Sequence, residues 1–221
     1  MATVEITDQL LATLPPEIRN MPGGVLQSSV DTLRDTDIYI LGYNPGGEGG
    51  SVTVEQSIKK LPSQHSNAYL SGVWGNNPPG EHYFQRRLRD LTQALGYELK
   101  DLPGSNLIFP QSRQAHLTDH HYAELCWPAH ELFLDMIRPK IILSIGNGEP
   151  KSAFGYLRIK YSRPKEVERI QSKLSGWGCK RFTAEIKGRP TRVVGIPHIS
   201  RYNPERYHDL FDWIKEGLDP T

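Results

Sequence analysis

Four short apolar runs, separated by amphipathic stretches, form the hydrophobic pattern of this chain. Each run is nearly continuous and rich in β-branched residues, which is typical of strands buried on both faces of a parallel sheet. Each also ends in a loop of glycine and polar residues. The four predicted strands cover residues 37–41, 106–109, 140–145 and 192–196.

Helical patterns lie between and after these strands. Apolar residues from Phe84 to Leu95 recur at steps of four, three and four, which predicts a helix over residues 81–96. A second helical region follows Thr118, with an interruption at Pro128, and ends before residue 139. A last helix is predicted to begin at Asn203 and Pro204, as N-cap and first helical residue.

The alternation of strand and helix predicts an α/β fold. We expect a three-layer α/β/α sandwich with a central four-stranded, mainly parallel sheet. Residues 1–221 are expected to form one domain, with an N-terminal helical extension over residues 1–35. Residues 51–79 are rich in Asn, Ser, Gly and Pro, and are predicted to form a long surface loop.

Composition excludes several classes of protein. With 221 residues, of which 37% are hydrophobic and 23% charged, the chain has enough apolar residues for one core. No apolar run approaches the ~20 residues of a membrane helix, and the N-terminus has no signal-peptide pattern. Two cysteines, Cys126 and Cys179, are too few for a disulfide framework, and no zinc-binding spacing occurs. We therefore expect an intracellular protein that does not bind membranes or metals.

The net charge of +1 conceals an uneven distribution along the chain. Residues 151–201 contain 13 Lys and Arg against 3 acidic residues, so this basic segment carries 13 − 3 = +10 and the remainder +1 − 10 = −9. Such segregation is typical of proteins with an anionic partner such as nucleic acid. A solvated basic surface fits the charge equally well. The unusual loop at the end of the segment favours the nucleic-acid interpretation.

The residues that follow each strand are the candidates for chemistry, because ligands of open α/β sheets bind at the carboxyl ends of the strands. A glycine-rich loop over residues 42–50 follows the first strand, and Asn44 in it presents a neutral amide. Asn106 opens the second strand despite its poor β-propensity. Its amide offers a donor and an acceptor side by side, matching the pairing edge of a pyrimidine. Taken alone, each of these features also fits an ordinary turn.

The loop after the fourth strand contains the strongest single candidate. His198 lies there beside Ser200 and Arg201, ahead of a predicted helix N-terminus. A histidine in this place can face a developing anion. The other histidines show no metal-binding spacing, and no Gly-x-Ser-x-Gly nucleophile motif occurs. His198 is therefore predicted to be an active-site residue.

In order along the chain, these loops resemble the motifs of the uracil-DNA glycosylase superfamily. Residues 42–46 (Gly-Tyr-Asn-Pro-Gly) resemble its first motif, in the form found in the mismatch-specific and single-strand-selective monofunctional branches. Residues 198–204 resemble the second motif, with Ile199 where the family usually has proline. Residues 106–113, Cys126-Trp-Pro and residues 138–146 are similar to the base-binding strand, a helix and the third strand. The similarity spans roughly residues 37–204.

The resemblance implies roles for individual residues. Asn44 would position the attacking water, and His198 would donate to a base oxygen as negative charge develops. Asn106 would bind the Watson–Crick edge of the flipped base, with Trp74 stacked on it. The loop over residues 198–204 would press into the strand and hold the nucleotide out of the helix. The other residues implied are Gly42 and Tyr43 for the base, and Ser200, Arg201, Tyr202, Gly46 and Gly47 for DNA.

The activity implied is that of a monofunctional DNA glycosylase, which hydrolyses the N-glycosidic bond of uracil or a related deaminated base. It would act as a monomer in base excision repair, in the cytoplasm on the nucleoid or, in a eukaryote, in the nucleus. Cys126 matches one cysteine of the iron–sulfur branches, but the other three are missing, so no cluster and no cofactor are expected. Two alternatives stay open: a non-catalytic module that binds nucleic acid or a nucleobase on the same fold, and an enzyme acting on free nucleotides or nucleosides.

Overall fold

The structure, a computed structural model, describes residues 2–47, 50–114, 117–161, 167–171, 178–203 and 208–216. The strands are β1 Ile38–Gly42, β2 Gly104–Asn106, β3 Ile141–Ile145, β4 Glu168–Gln171, β5 Gly178–Ile186 and β6 Arg189–Ile196. The helices are α1 Ala2–Thr13, α2 Pro16–Arg19, α3 Val54–Lys60, α4 Ala68–Ser71, α5 Tyr83–Ala94, α6 His121–Ile137, α7 Ala153–Lys160 and α8 His208–Lys215. The strands form one sheet in the order β2-β1-β3-β6-β5-β4.

Four neighbouring strands, β2, β1, β3 and β6, run parallel and create the edge at which a site is expected. All five residues of β3 are buried, as are the first four of β1, because helices cover both faces of the sheet. The register pairs Gly42 with Asn106 and Ile145 with Ile196. The carboxyl ends of the four parallel strands therefore meet at one edge.

The prediction of an α/β fold is confirmed, but the prediction of a four-stranded sheet is wrong. Two further strands, β5 and β4, extend the sheet antiparallel beyond β6. Buried residues of β5 are interspersed with charged ones, and only one residue of β4 is even half-buried. Neither strand therefore has the continuous apolar run that marked the parallel strands.

Two hydrophobic cores lie on opposite faces of the sheet. Successive residues of β1 alternate between them: Tyr39 and Leu41 belong to one core, Ile38 and Ile40 to the other. Helices α1, α3, α6 and α7 contribute to the first core, and α5 and α8 contribute to the second. The described residues thus form the three layers of an α/β/α sandwich.

The N-terminal 35 residues pack on the first core. They contain α1 and α2, whose side chains Ile6, Leu10 and Ile18 are almost completely buried. Removing these helices would expose the apolar surface beneath them. The N-terminal extension is therefore an integral part of the domain.

Residues 51–79, predicted to be one long surface loop, are partly helical. The Thr53 hydroxyl caps α3 by accepting from the Gln56 N–H, and the Gln56 side chain accepts from the Thr53 N–H in return. Val54 and Ile58 of this helix are fully buried. The side chain of Asn67 caps α4 in a similar way. Some of the polar residues that indicated a loop are thus helix caps.

Three other local predictions are corrected or completed by the structure. The second strand ends at Asn106, and residues 107–109 follow it as buried chain. Helix α6 continues through Pro128, which interrupts only the local hydrogen bonding of a helix with a fully buried face. The predicted start of the last helix at Pro204 lies outside the described residues. Within the described ranges, no helix has the length and apolarity needed to cross a bilayer.

Candidate active site

A cavity of about 750 Å³ opens at the carboxyl edge of the parallel strands. It is lined by the last residues of β1, β2 and β3, by the loop after β1, by the segment around the start of α5, and by the loop after β6. Nine residues predicted from the sequence line it together: Gly42, Tyr43, Asn44, Gly46, Gly47, Trp74, Asn106, His198 and Ser200.

Asn106 presents an almost buried amide to this cavity. The residue is 9% exposed, and its side chain makes no hydrogen bond to any other described residue. It lies directly over Gly42, where a Cβ atom would come within 2.2 Å of Asn106 Oδ1. Residue 42 must therefore be glycine for the amide to occupy this position.

A buried hydrogen-bond network holds the chain on either side of Asn106. His130 Nε2 donates to the Leu107 carbonyl at 3.0 Å, so Nδ1 is free to accept from the Tyr39 hydroxyl at 2.8 Å. Burial lowers the pKa of His130 to about 4, which keeps the ring neutral. The Ser105 hydroxyl donates to the Val25 carbonyl at 2.6 Å. The end of β2 is thus fixed from behind while its amide faces the cavity.

Asn44 has one end of its amide committed to the backbone. Its Nδ2 donates to the Pro45 carbonyl at 3.0 Å and to the Ser112 carbonyl at 3.2 Å. Both partners are acceptors, so the nitrogen must face them and Oδ1 must face away. The group left for a ligand is therefore a hydrogen-bond acceptor, which can orient a water molecule.

The glycine-rich loop after β1 wraps around the side chain of Gln111. A Cβ atom at Gly47 would lie 2.6 Å from Gln111 Nε2, and one at Gly50 would lie 2.4 Å from Gln111 Oε1. Gly47 also has a left-handed backbone, with φ of 108°. At Gly46, in contrast, a Cβ atom would meet no other atom within 4 Å. Packing against Gln111 explains two of these glycines, and residues 48 and 49 lie outside the described residues.

The loop after β6 presents His198 as a neutral donor. The Ser200 N–H donates to His198 Nδ1 at 3.3 Å, and the Ser200 hydroxyl lies 2.6 Å from the same atom. Nδ1 is therefore the acceptor, and the proton of the neutral ring is on Nε2. Desolvation, and then the positive charge of Arg201, lower the pKa of His198 below its ordinary value. Arg87 of α5 braces the loop by donating to the Ile199 carbonyl at 2.6 Å.

Aromatic side chains form the wall between Asn106 and His198. Trp74 lies 5.3 Å from Phe84 and 5.7 Å from His82, measured between ring centroids, and Phe84 lies 5.4 Å from His198. Neither His82 nor the place of Phe84 at the cavity is predicted from the sequence. His82 caps α5, with its Nδ1 accepting from the Phe84 N–H at 3.3 Å. The sequence pattern that could have indicated this role is a histidine just before an amphipathic helix with a glutamine three residues later, which is typical of a capping box.

The two remaining predicted residues lie elsewhere. Arg201 is exposed and adjoins His198, without lining the cavity. Tyr202 is 6% exposed and packs in the second core, where its hydroxyl lies 3.9 Å from Cys179 Sγ. The prediction that Tyr202 presses into DNA is therefore wrong, because its ring is used in the protein interior. Tyr43 lines the cavity wall with its hydroxyl 3.0 Å from His120 Nδ1.

The basic segment predicted from the sequence is neutralised in part in space. Five of its described cations form ion pairs, most of them with acidic residues from other parts of the chain. The pairs are Arg158–Glu149, Lys160–Glu124, Lys180–Glu149, Arg181–Glu168, Arg181–Glu216 and Lys187–Asp135. Arg113 is the cationic residue that lines the cavity among the described residues, and Arg87 and Arg201 lie next to lining residues, at the Ile199 carbonyl and beside His198.

No family model matches the chain, and no curated protein is significantly similar to it. In the described part of the chain, no group of three or more His, Cys, Asp or Glu side chains is placed to hold a metal ion. The function must therefore be inferred from the chemistry of the cavity.

Proposed function

We propose that the protein is a monofunctional DNA glycosylase with a uracil-DNA glycosylase-like fold, acting on uracil or a related deaminated base. The observation that carries this proposal is the amide of Asn106, almost buried and without a partner among the described residues, in a cavity shared with Asn44 and His198. Its polar atoms are reached from the cavity, where a ligand can bind them. A base with an N–H beside a carbonyl would satisfy both ends of this amide at once.

The remaining polar groups match the charges that develop in glycosidic hydrolysis. A water oxygen forms a bond to C1′ of the sugar, the C1′–N bond breaks, and its electron pair goes to the base. Asn44 Oδ1 would orient that water, while the proton that the water loses ends on the departing base or in solvent. His198 Nε2–H would donate to a carbonyl oxygen of the base as that oxygen becomes anionic. A neutral donor suffices, since the charge is delocalised over the base.

The site also has what recognition of an extruded nucleotide requires. Extrusion costs a few kcal/mol, which contacts to the flipped base and to the backbone must offset. Trp74 and Phe84 provide an aromatic wall for the base, and Arg87, Arg113 and Arg201 provide positive charge close to the opening. Phosphate contacts of this kind make binding sensitive to salt.

The first prediction concerns the two residues with direct roles. We expect the wild-type protein to release a base from oligonucleotides carrying uracil, hypoxanthine, xanthine or mismatched thymine, tested single- and double-stranded with alkali cleavage of abasic sites. His198→Ala should lower the rate about a hundredfold or more, the usual cost of removing a donor to a developing oxyanion. Asn44→Ala should lower it about a hundredfold, because the attacking water is no longer oriented. His121→Ala, an exposed histidine at the start of α6, is the control.

Full activity in both variants would contradict the site assignment. Wild-type binding to DNA without any abasic product would favour the non-catalytic module. Turnover of free nucleosides with no affinity for DNA would favour the small-substrate enzyme.

A further inference from the structure

The described part of the loop after β6, residues 197–203, includes no exposed large apolar side chain. Proteins that extrude a base commonly insert an apolar side chain into the gap left in the stack. In this loop Ile199 is fully buried and Tyr202 nearly so, while the exposed residues are His198 and Arg201. The residues described over 197–203 can therefore bind polar groups but cannot supply an apolar wedge.

Exposed apolar side chains occur instead on another segment that lines the same cavity, at and before the start of α5. Val73 is 66% exposed and Tyr83 is 42% exposed, and both line the cavity. We call these two residues the apolar rim. The other large apolar residues exposed in the described part of the chain do not line it: Val52, Leu117 and Ile159.

The segment that carries Val73 is held on both sides. The buried side chain of Gln85 donates to the carbonyls of Ala68 and Gly72, at 2.7 and 2.9 Å. The Gly80 N–H donates to the same Gly72 carbonyl at 3.1 Å. The neighbouring Trp74 packs against aromatic rings of the second core. Because the segment is already ordered, Val73 can contact a partner with little further loss of conformational entropy.

Positive charge accompanies the rim. The Arg87 guanidinium lies 5.6 Å from the centroid of the Tyr83 ring, and the adjacent Arg86 is exposed on α5. Arg113 lines the same cavity. Aromatic side chains next to arginines are the combination with which proteins bind single-stranded nucleic acid, by stacking on bases while the cations approach phosphates.

We propose that the apolar rim binds the DNA strand beside the extruded nucleotide. Val73 enters the gap left in the base stack, and Tyr83 stacks on the adjacent base. This inference rests on the proposed function, and it assigns the wedge to the segment before α5 instead of to the loop after β6. The partner is a DNA strand opened at one nucleotide.

The test compares rim variants with controls at exposed apolar residues that do not line the cavity. Val73→Ala is paired with Val52→Ala, and Tyr83→Ala with Ile159→Ala. Binding is measured by fluorescence anisotropy on labelled oligonucleotides that contain one tetrahydrofuran abasic site, single-stranded and in duplex. Excision of the base that the wild type cleaves is measured in parallel. Thermal unfolding of each variant checks the fold, which truncation of exposed side chains should leave intact.

Tyr83→Ala should weaken binding to both forms of the probe about 5- to 150-fold, the range that corresponds to one base–aromatic stack. Val73→Ala should slow excision from duplex about tenfold and leave excision from single strands unchanged, because only a duplex must be held open. Both controls should behave like the wild type. Rim variants that match their controls in binding and in excision would overturn the inference.

The two proposals fail in distinguishable ways. If the wild type yields no abasic product from any substrate, the glycosylase assignment fails, and the binding measurements still decide on the rim. Weaker binding by Tyr83→Ala than by Ile159→Ala would then support a rim that binds DNA, and equal binding would overturn it. A wild type that neither yields an abasic product nor binds the abasic probe overturns both proposals, whereas excision without affinity for the probe overturns the rim alone.

Discussion

At the residue scale, Asn44 and His198 each have one end of the side chain held by the backbone, and this leaves a defined atom for the ligand. Asn44 Nδ2 faces two carbonyls, which leaves Oδ1 as an acceptor. His198 Nδ1 accepts from the Ser200 N–H, which leaves Nε2–H as a donor. Asn106 differs in keeping both a donor and an acceptor, because Gly42 makes room for its amide. The cavity therefore combines an acceptor, a donor and a paired edge in fixed places.

A prediction at this scale concerns Gly42. In Gly42→Ala the new Cβ would lie 2.2 Å from Asn106 Oδ1, so the amide must move while the backbone need not. We expect a folded protein with base excision lowered at least tenfold. The matched control is Gly148→Ala, outside the cavity lining, where a Cβ atom meets no other atom within 4 Å. Excision rates together with thermal unfolding check this, and equal rates in the two variants would show that the position of the Asn106 amide does not matter.

At the element scale, the two antiparallel strands depend on one arginine for their connection to α8. The Arg181 side chain is 7% exposed and makes ion pairs with Glu168 of β4 and with Glu216 after α8. It also donates to the Trp213 carbonyl, and its guanidinium lies 4.5 Å from the centroid of the Trp213 ring. Strand β4 has few buried residues of its own. Arg181 therefore joins elements that have little other apolar contact.

The prediction at this scale is a local loss of stability. Arg181→Met keeps most of the aliphatic volume but removes the charge-assisted hydrogen bonds, which are worth about 1.5–3 kcal/mol when made to charged groups. We expect the substitution to raise the deuterium exchange rates of backbone amides in α8 and β4, relative to the wild type, more than it raises those in β1 and β3. Arg169→Met, at an exposed position on β4, serves as the control. A uniform increase in exchange across the sheet would contradict the assignment.

The elements also show what could be predicted from the sequence. Continuous apolar runs located β1, β3 and β6, because strands buried on both faces need apolar residues at every position. The same criterion missed β5, on which charged residues alternate with buried ones and are neutralised by partners far away in the sequence. Helix α3 was missed because its capping residues resemble those of a loop.

For the site, Asn44, Asn106 and His198 could be located because ligands of open α/β sheets bind at the carboxyl ends of the strands, and this depends only on parallel topology. The roles of His82 and Phe84 could not be predicted in this way. One face of α5 packs on the second core, and only tertiary structure shows that its first turn reaches the cavity. The burial of Tyr202 likewise depends on contacts with residues distant in sequence, such as Cys179.

At the scale of the whole molecule, the distribution of charge along the chain differs from that in space. The sequence places +10 in residues 151–201, but acidic residues outside that segment pair with most of its ion-paired cations. The positive groups beside the cavity belong to α5, to the chain after β2 and to the loop after β6. The anionic partner is therefore expected at the carboxyl edge of the sheet.

This distribution predicts which cations contribute to DNA binding. Each phosphate contact adds about 0.7 for single strands, or 0.9 for duplex, to the slope of log affinity against log salt concentration. Arg201→Gln should lower that slope by the contribution of about one phosphate contact. Lys187→Gln, at the opposite end of β6 and paired with Asp135 at 2.9 Å, should leave it unchanged. Equal slopes for the two variants in anisotropy titrations would contradict a DNA surface at the carboxyl edge.

The first turn of α5 connects the apolar rim to the loop after β6. Tyr83 belongs to the rim, Phe84 lies against His198, and Arg87 holds the Ile199 carbonyl. A helical turn moves as a rigid unit, so any displacement of the rim on contact is carried directly to the loop that bears the histidine. Searching for a damaged nucleotide and aligning the group that acts on it would thus be mechanically coupled through a single turn of helix, without a hinge between them.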